Sequence, residues 1–252
     1  MIFGFYHMHI LLTNDDGYEA EGIRKLYAAL SQIACVTIVA PNANKSAIGH
    51  GITIFKDIMT KKISEGIFAV DGTPADCVRL ALNCLVKEKI DLVVAGINHG
   101  PNLGFDVFYS GTAAAAREAS IRGIPSIAVS VCDPKDPRFD NACIFMQRLV
   151  QRHADLPLHP DVFLNVNVPN CEMIKGIEVT RLSRKHYHDS FSDRGDGKYC
   201  FGFGLWKDDF DPGTDIASIV KKKISISPLG LDMTCPVTIQ FADEIKESIL
   251  RL

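Results

Sequence analysis

The chain has no Cys-x-x-Cys pair, no phosphate loop of the G-x-x-x-x-G-K-[ST] form, and no G-x-G-x-x-G in its first strand-to-helix turn. The first absence argues against zinc, whose structural sites draw on closely spaced thiolates. The other two remove P-loop kinases and nicotinamide-dependent dehydrogenases. No apolar run approaches the about 18–20 residues that a membrane-crossing helix requires. A formal charge of -3 is not the basic footprint of a nucleic-acid binder, so no stable binding of that kind is expected. There is no internal repeat and no low-complexity tract. The opening Met1-Ile2-Phe3-Gly4-Phe5-Tyr6-His7 is too short for a signal sequence and lacks a basic start, so Met8 is expected to be the natural first residue.

What is present is an ordinary globular composition, 47% hydrophobic and 23% charged. The 252 residues suffice for one large α/β domain, or a domain with an appended arm. Eight cysteines (Cys35, Cys77, Cys84, Cys132, Cys143, Cys171, Cys200, Cys235) are scattered, several in apolar runs where a free thiol packs as a small hydrophobe. Disulfide frameworks belong to shorter secreted chains, so these thiols read as reduced and the protein as cytoplasmic.

The first half alternates short apolar runs with amphipathic stretches. Strands are expected at His9–Thr13, Val36–Ala40, Asp91–Ala95 and Ser126–Val131, with helices at Gly22–Leu30, Pro74–Glu88 and Thr112–Arg122. Arg138–His153 reads as a further helix and Phe163–Val168 as a further strand. Apolar strands alternating with helices predict a Rossmann-like α/β fold, a mostly parallel sheet covered on both faces. From Arg181 to Pro212 the chain turns polar and irregular, with Gly195, Gly197, Gly202, Gly204 and the lone Trp206. So long a loop is usually functional or an interaction arm. The expected division is a core over 8–175, then an arm, a hairpin and a helix near Thr238–Leu252 over 176–252.

Asp15 and Asp16 follow the first strand, Ser46 the second, and Asn98 the strand at Asp91–Ala95. In an open parallel sheet these loops all emerge at the carboxyl edge, where ligands bind. Two carboxylates, a hydroxyl and an amide carbonyl suit Mg²⁺, Mn²⁺ or Ca²⁺ rather than zinc. Each member alone is commonly structural; their placement after three separate strands is what carries the reading. Ser110-Gly111-Thr112 leads into the run Ala113-Ala114-Ala115-Ala116, where a helix N-terminus offers N–H groups to an anion. Two histidines in the same loops, His50 and His99, are candidates for proton transfer. The basic run Arg181, Arg184, Lys185, His186, His188 reads as a solvated arm, or else as a clamp on longer anions. Asp15 and Asp16 are adjacent, which does not suit an aspartyl-phosphate phosphatase of the D-x-D kind.

The chain resembles the SurE family. The likeness runs in order through Asn14-Asp15-Asp16-Gly17-Tyr18, Val39-Ala40-Pro41 to Ser46, Gly72-Thr73-Pro74-Ala75-Asp76 and Gly96-Ile97-Asn98. It continues through Tyr109-Ser110-Gly111-Thr112, Leu164-Asn165-Val166-Asn167-Val168-Pro169, Gly213-Thr214-Asp215 and Ile226-Ser227-Pro228-Leu229. The resemblance implies a phosphomonoesterase acting on nucleoside 5'- and 3'-monophosphates, and on short polyphosphate, with one Mg²⁺ or Mn²⁺ per subunit. It implies Asp15, Asp16, Ser46 and Asn98 as metal ligands, with Asp15, Asp16 and Asn98 catalytic. It makes Ser110, Gly111 and Thr112 the phosphate cradle, and it implies a homodimer or homotetramer built through the C-terminal arm. Two positions depart from the family: Ala95 stands where Ser is usual before the Gly-Ile-Asn turn, and Ala47 where Gly usually follows the metal-binding Ser. The rival reading is a nucleotide-binding sensor with little turnover.

Overall fold

A computed structural model describes residues 8–133, 135–156, 159–184, 189–203, 211–236 and 238–250. β1 (His9–Thr13) is buried along its whole length, as a strand covered on both faces must be. It pairs in parallel with β2 (Cys35–Pro41), reached through α1 (Glu21–Leu30). A hairpin of β3 (Thr60–Ser64) and β4 (Ile67–Val70) then leads to α2 (Pro74–Leu80). β5 (Leu92–His99), α3 (Gly111–Ile121), β6 (Ser126–Val131), α4 (Asp140–Arg152) and β7 (Val162–Val168) follow. Beyond them come β8 (Ile177–Val179), β9 (Asp189–Asp193), β10 (Tyr199–Phe203), α5 (Asp215–Val220), β11 (Ile224–Gly230) and α6 (Ala242–Leu250).

The main sheet has nine strands in the order β3-β4-β2-β1-β5-β6-β7-β11-β8. The six strands from β4 to β7 are parallel, β3 runs against β4 and β11 against β7, and β8 is parallel to β11. From β1 the chain first builds outward through β2 to β4, then returns and builds the other way from β5. The β1/β5 seam is therefore the point where strand order reverses, and a crevice opens at the carboxyl ends there. The expected fold class holds.

Helices cover both faces. Ile23, Leu26 and Leu30 of α1 share a core with Phe139, Ala142 and Met146 on the α4 side. Cys77 and Val78 of α2 share the opposite core with Ala115 and Ala119 of α3. β5, β6 and β7 step in one direction, yet α3 and α4 lie on opposite faces. The β6–α4–β7 crossover thus has the hand opposite to the usual right-handed one. At Gly22 a β-carbon would lie 2.1 Å from the Ile97 carbonyl oxygen, so α1 seats directly on the strand that carries Asn98.

Several expectations need correction. The helix expected to reach Glu88 ends at Leu80 and continues as a π-helical turn, Ala81–Leu85. β5 does not stop at Ala95: its register shifts between Ala95 and Asn98 and pairing resumes, so Asn98 lies inside the strand and not in a loop. The irregular stretch from Arg181 holds the antiparallel pair β9 and β10, separate from the main sheet. β8 and β11, both beyond residue 175, complete the main sheet. The terminal helix is a 3-10 turn, Thr238–Phe241, followed by α6. Lys185, His186, His188, Gly204 and Trp206 lie outside the described residues. Among the described residues no helix is long and apolar enough to cross a membrane.

α2 begins with a reciprocal cap. Thr73 accepts from Asp76 N, and the Asp76 carboxylate accepts from Thr73 N. Asp76 is 2% exposed and also takes the N–H and hydroxyl of Thr53. Burial alone would raise its pKa, but these donors win and hold it below the ordinary 3.8. A group with a depressed folded value stabilises above 3.8 and loses that contribution as pH falls through the lower folded value. Asp76→Asn is therefore expected to cost about 2–3 kcal/mol at pH 7. In urea titrations the gap to wild type should narrow once pH drops below 3.8.

Candidate active site

The turn after β1 is locked by Asn14, whose Nδ2 donates to Gly17 O (2.8 Å) while Gly17 N donates to Asn14 Oδ1 (3.2 Å). Gly17 sits at φ 105°, a conformation that suits glycine, and this reversal turns Asp15 and Asp16 out of extended geometry. Two backbone bonds join the turn to the segment after β2: Tyr18 N to Pro41 O (2.9 Å) and Lys45 N to Asp15 O (2.7 Å). The second places Ser46 next to the residue bonded to Asp15.

Asp15 is 4% exposed. Burial pushes its carboxyl up from 3.8 to about 6; the Thr112 hydroxyl works against that, and the Asp16 charge adds to it. Thr112 reaches Asp15 through its hydroxyl, which donates to Oδ1 at 2.5 Å, and through its N–H. The first turn of α3 thus grips a carboxylate. Asp16 is half-buried, and its Oδ2 accepts from His99 N at 3.3 Å. Its pKa is also raised, by burial, with His99 opposing. Asn98 donates from Nδ2 to Gly100 O (2.9 Å), which orients its amide. The bulge that brings it here is at Gly96, φ 134°, where a β-carbon would lie 2.3 Å from Val129 O.

The structure thus brings together Asp15, Asp16 and the Asn98–His99 backbone at the β1/β5 seam, with the exposed Ser46 on the adjoining segment. Ser110 is the N-cap of α3, accepting from Ala113 N at 3.0 Å. Ser110, Gly111 and Thr112 are all buried, and Ala113 to Ala116 pack with them. His50 has both ring nitrogens engaged, by Arg117 and Glu118. The His99 ring lies tilted against Phe139, 5.1 Å between ring centres, and its buried Nε2 has no partner among the described residues. Both nitrogens of His50 are thus taken, whereas Nε2 of His99 is not. In the basic run, Arg181 pairs with Asp211 at 3.2 Å and Arg184 is exposed.

Sequence reasoning missed the residues that hold the loop after β5. Asn102 N donates to Asn167 Oδ1 (2.9 Å), and Asn102 O accepts from Asn165 (2.9 Å) and Asn167 (3.0 Å). Buried Asp215 takes Gly104 N at 2.7 Å. The signal was there in Leu164-Asn165-Val166-Asn167-Val168, an amide at every second position of a buried strand.

Among the described residues no three His, Cys, Asp or Glu side chains form a cluster able to hold a metal. The available set is oxygen: two adjacent carboxylates, the Asn98 amide and the Ser46 hydroxyl. Burial raises both carboxyls, the Asp16 charge raises Asp15 further, and a hard divalent cation is the partner such a set fits. Ala47, next to Ser46, sits at φ 57°, where a residue with a β-carbon is strained by about 1–2 kcal/mol. Ala47→Gly relieves this against a greater loss of chain entropy. The net expected gain is about 0.5–1 kcal/mol, read as a thermal midpoint higher by about 1–4 °C.

The model of the family described as "Survival protein SurE" matches residues 10–189. A curated 5'-nucleotidase SurE of Pelobacter propionicus is 43% identical over 234 residues, 90% of this chain and 95% of that protein. The 5'-nucleotidase SurE of Vibrio cholerae serotype O1 is 41% identical over 250 residues, 96% of this chain and 99% of that one. The crystal structure of the SurE protein from Aquifex aeolicus superposes with a TM-score of 0.84 at 36% identity, covering 95% of this chain and 98% of the other. The order of motifs, the sheet and these likenesses agree: the chain belongs to the SurE family.

Proposed function

We propose that this chain is a 5'-nucleotidase that hydrolyses nucleoside 5'- and 3'-monophosphates to nucleoside and phosphate, using one Mg²⁺ or Mn²⁺ per subunit. The observation that carries the reading is Asp15: a buried carboxylate beside Asp16, gripped by the first turn of α3. That contact supports a reading in which an oxygen-rich cation site lies beside a helix terminus suited to an anion. Asp15, Asp16, Ser46 and Asn98 would hold the cation, which would supply Lewis acidity at the site. The Gly111 N–H in the first turn binds a phosphoryl oxygen, while the Thr112 hydroxyl and N–H stay on Asp15 and the Ser110 cap fixes that turn. Asp16, more open than Asp15, orients the attacking water and accepts its proton.

Short-chain polyphosphate is a second substrate, for which exposed Arg184 offers a cation at the root of the arm. The core over 8–175 carries the chemistry, and the segment over 176–252, which also adds β8 and β11 to the main sheet, carries assembly into a homodimer or homotetramer. The exposed aromatic face of the β9/β10 hairpin, where the Phe191 and Phe201 rings pack 5.3 Å apart, supports that role. Eight free cysteines support a cytoplasmic site of action. The test is phosphate release over a panel of mononucleotides and polyphosphate with Mg²⁺, Mn²⁺ or EDTA. Release from mononucleotides that EDTA abolishes is the expected result; nucleotide binding without release would make the protein a sensor instead.

A further inference from the structure

The segment from Ser46 to Thr53 belongs to no helix or strand, and its Ile48 and Ile52 are exposed. Apolar burial does not hold it. Polar contacts do: Gly49 N donates to Tyr109 O (2.9 Å) and Thr73 Oγ1 to Gly51 O (2.7 Å), and Thr53 is bound by Asp76. Between them stands His50. Its Nδ1 accepts from Arg117 Nε at 2.9 Å, and its Nε2 meets Glu118 Oε2 at 3.0 Å. The Nε of a guanidinium always carries hydrogen, so Nδ1 is the bare nitrogen and Nε2 the donor. Glu118, 4% exposed, is itself fixed by Arg122 (3.1 Å) and Arg79 (3.3 Å). Arg117 and Glu118 lie on α3, the helix whose first turn grips Asp15. One rigid element therefore sets both Asp15 and the segment that begins at Ser46.

We infer that His50 and Glu118 are positioning residues for Ser46, so that cation affinity depends on a histidine that touches neither cation nor substrate. This rests on the reading of Ser46 as a ligand given above. His50→Phe removes both contacts. His50→Gln keeps an acceptor for Arg117 and a donor for Glu118.

Binding of Mn²⁺ alone, followed by the resonance of the free ion, should weaken about 10-fold or more in His50→Phe. Amide exchange over residues 47–52 in the metal-free protein should rise by about the same factor. KM for a mononucleotide at saturating Mn²⁺ should stay within about twofold, because only the cation step is affected. His50→Gln should restore Mn²⁺ affinity and exchange together. Unchanged Mn²⁺ affinity in His50→Phe, with or without faster exchange, overturns the inference and leaves the proposed function standing. Failure of the wild type to bind Mn²⁺ overturns both.

Discussion

Asp15→Asn and Asp16→Asn are each expected to cut turnover of p-nitrophenyl phosphate at saturating Mn²⁺ by about 100-fold or more, the several kcal/mol that a bound cation contributes to a phosphoryl transition state. The two variants should part company in stability. Asp15 is almost wholly buried, and its pKa of about 6 against 3.8 means that the metal-free fold is penalised. The sign follows from linkage. A raised acid costs nothing below 3.8, costs more as pH rises toward about 6, and carries the whole penalty above it. At neutral pH that penalty is about 3 kcal/mol, and asparagine removes the charge while retaining an acceptor for Thr112. The new amide hydrogens need partners, which leaves a net gain of about 1–2 kcal/mol. In EDTA, Asp15→Asn should therefore melt a few degrees above wild type while being nearly inactive. Near wild-type turnover in both variants would remove the metal site; a lower melting point for Asp15→Asn would remove the account of its burial.

Gly111→Ala should be comparably damaging for a steric reason. A β-carbon there would lie 2.8 Å from Asp15 Cβ, 2.9 Å from its Oδ2 and 3.1 Å from Pro74 Cγ. Asp15 Cβ is anchored to the end of β1 and cannot swing aside, so the start of α3 has to move. Overpacking of this sort costs about 1–3 kcal/mol. A displacement near 1 Å at reacting groups is enough for a loss of about 100-fold in kcat. Gly230→Ala serves as the control, since a β-carbon there meets nothing within 4 Å. Kinetics and melting of the pair settle the matter: Gly111→Ala with wild-type kcat would mean that the helix does not sit against the carboxylate as described.

The parts of this molecule that announced themselves in sequence are those whose burial is two-sided. β1, β2 and β6 are largely apolar runs because helices cover both faces, and such runs are readable without partners. The β3/β4 hairpin went unseen because every residue of Thr60-Lys61-Lys62-Ile63-Ser64 is exposed, so no apolar alternation exists to detect. β11 was hidden differently. Its Ser225 and Ser227 point inward and are satisfied by the Thr180 hydroxyl at 2.7 and 2.8 Å, a polar interior that composition reads as loop.

At the site, the chemistry-bearing side chains could be named because Asp15, Asp16 and Ser46 follow strands at the carboxyl edge and Asn98 lies near the end of another. Their supports could not. Asp76 and Glu118 look like surface acids in sequence, and only tertiary contacts show them buried and hydrogen-bonded. The extension of β5 through Asn98 depends on a bulge at Gly96, which pairing reveals and propensity does not.

The two rims of the main sheet bear on how the protein behaves at high concentration. One rim is β3, exposed along its length with Lys61 and with Lys62, which pairs with Glu65 at 2.7 Å; the other is β8, only three residues long. An incoming strand would meet charged lysine side chains on one side and too few open backbone positions on the other. Fibrous growth by strand addition is thereby discouraged at both ends, and copies that do meet must use side-chain surfaces away from the sheet's borders.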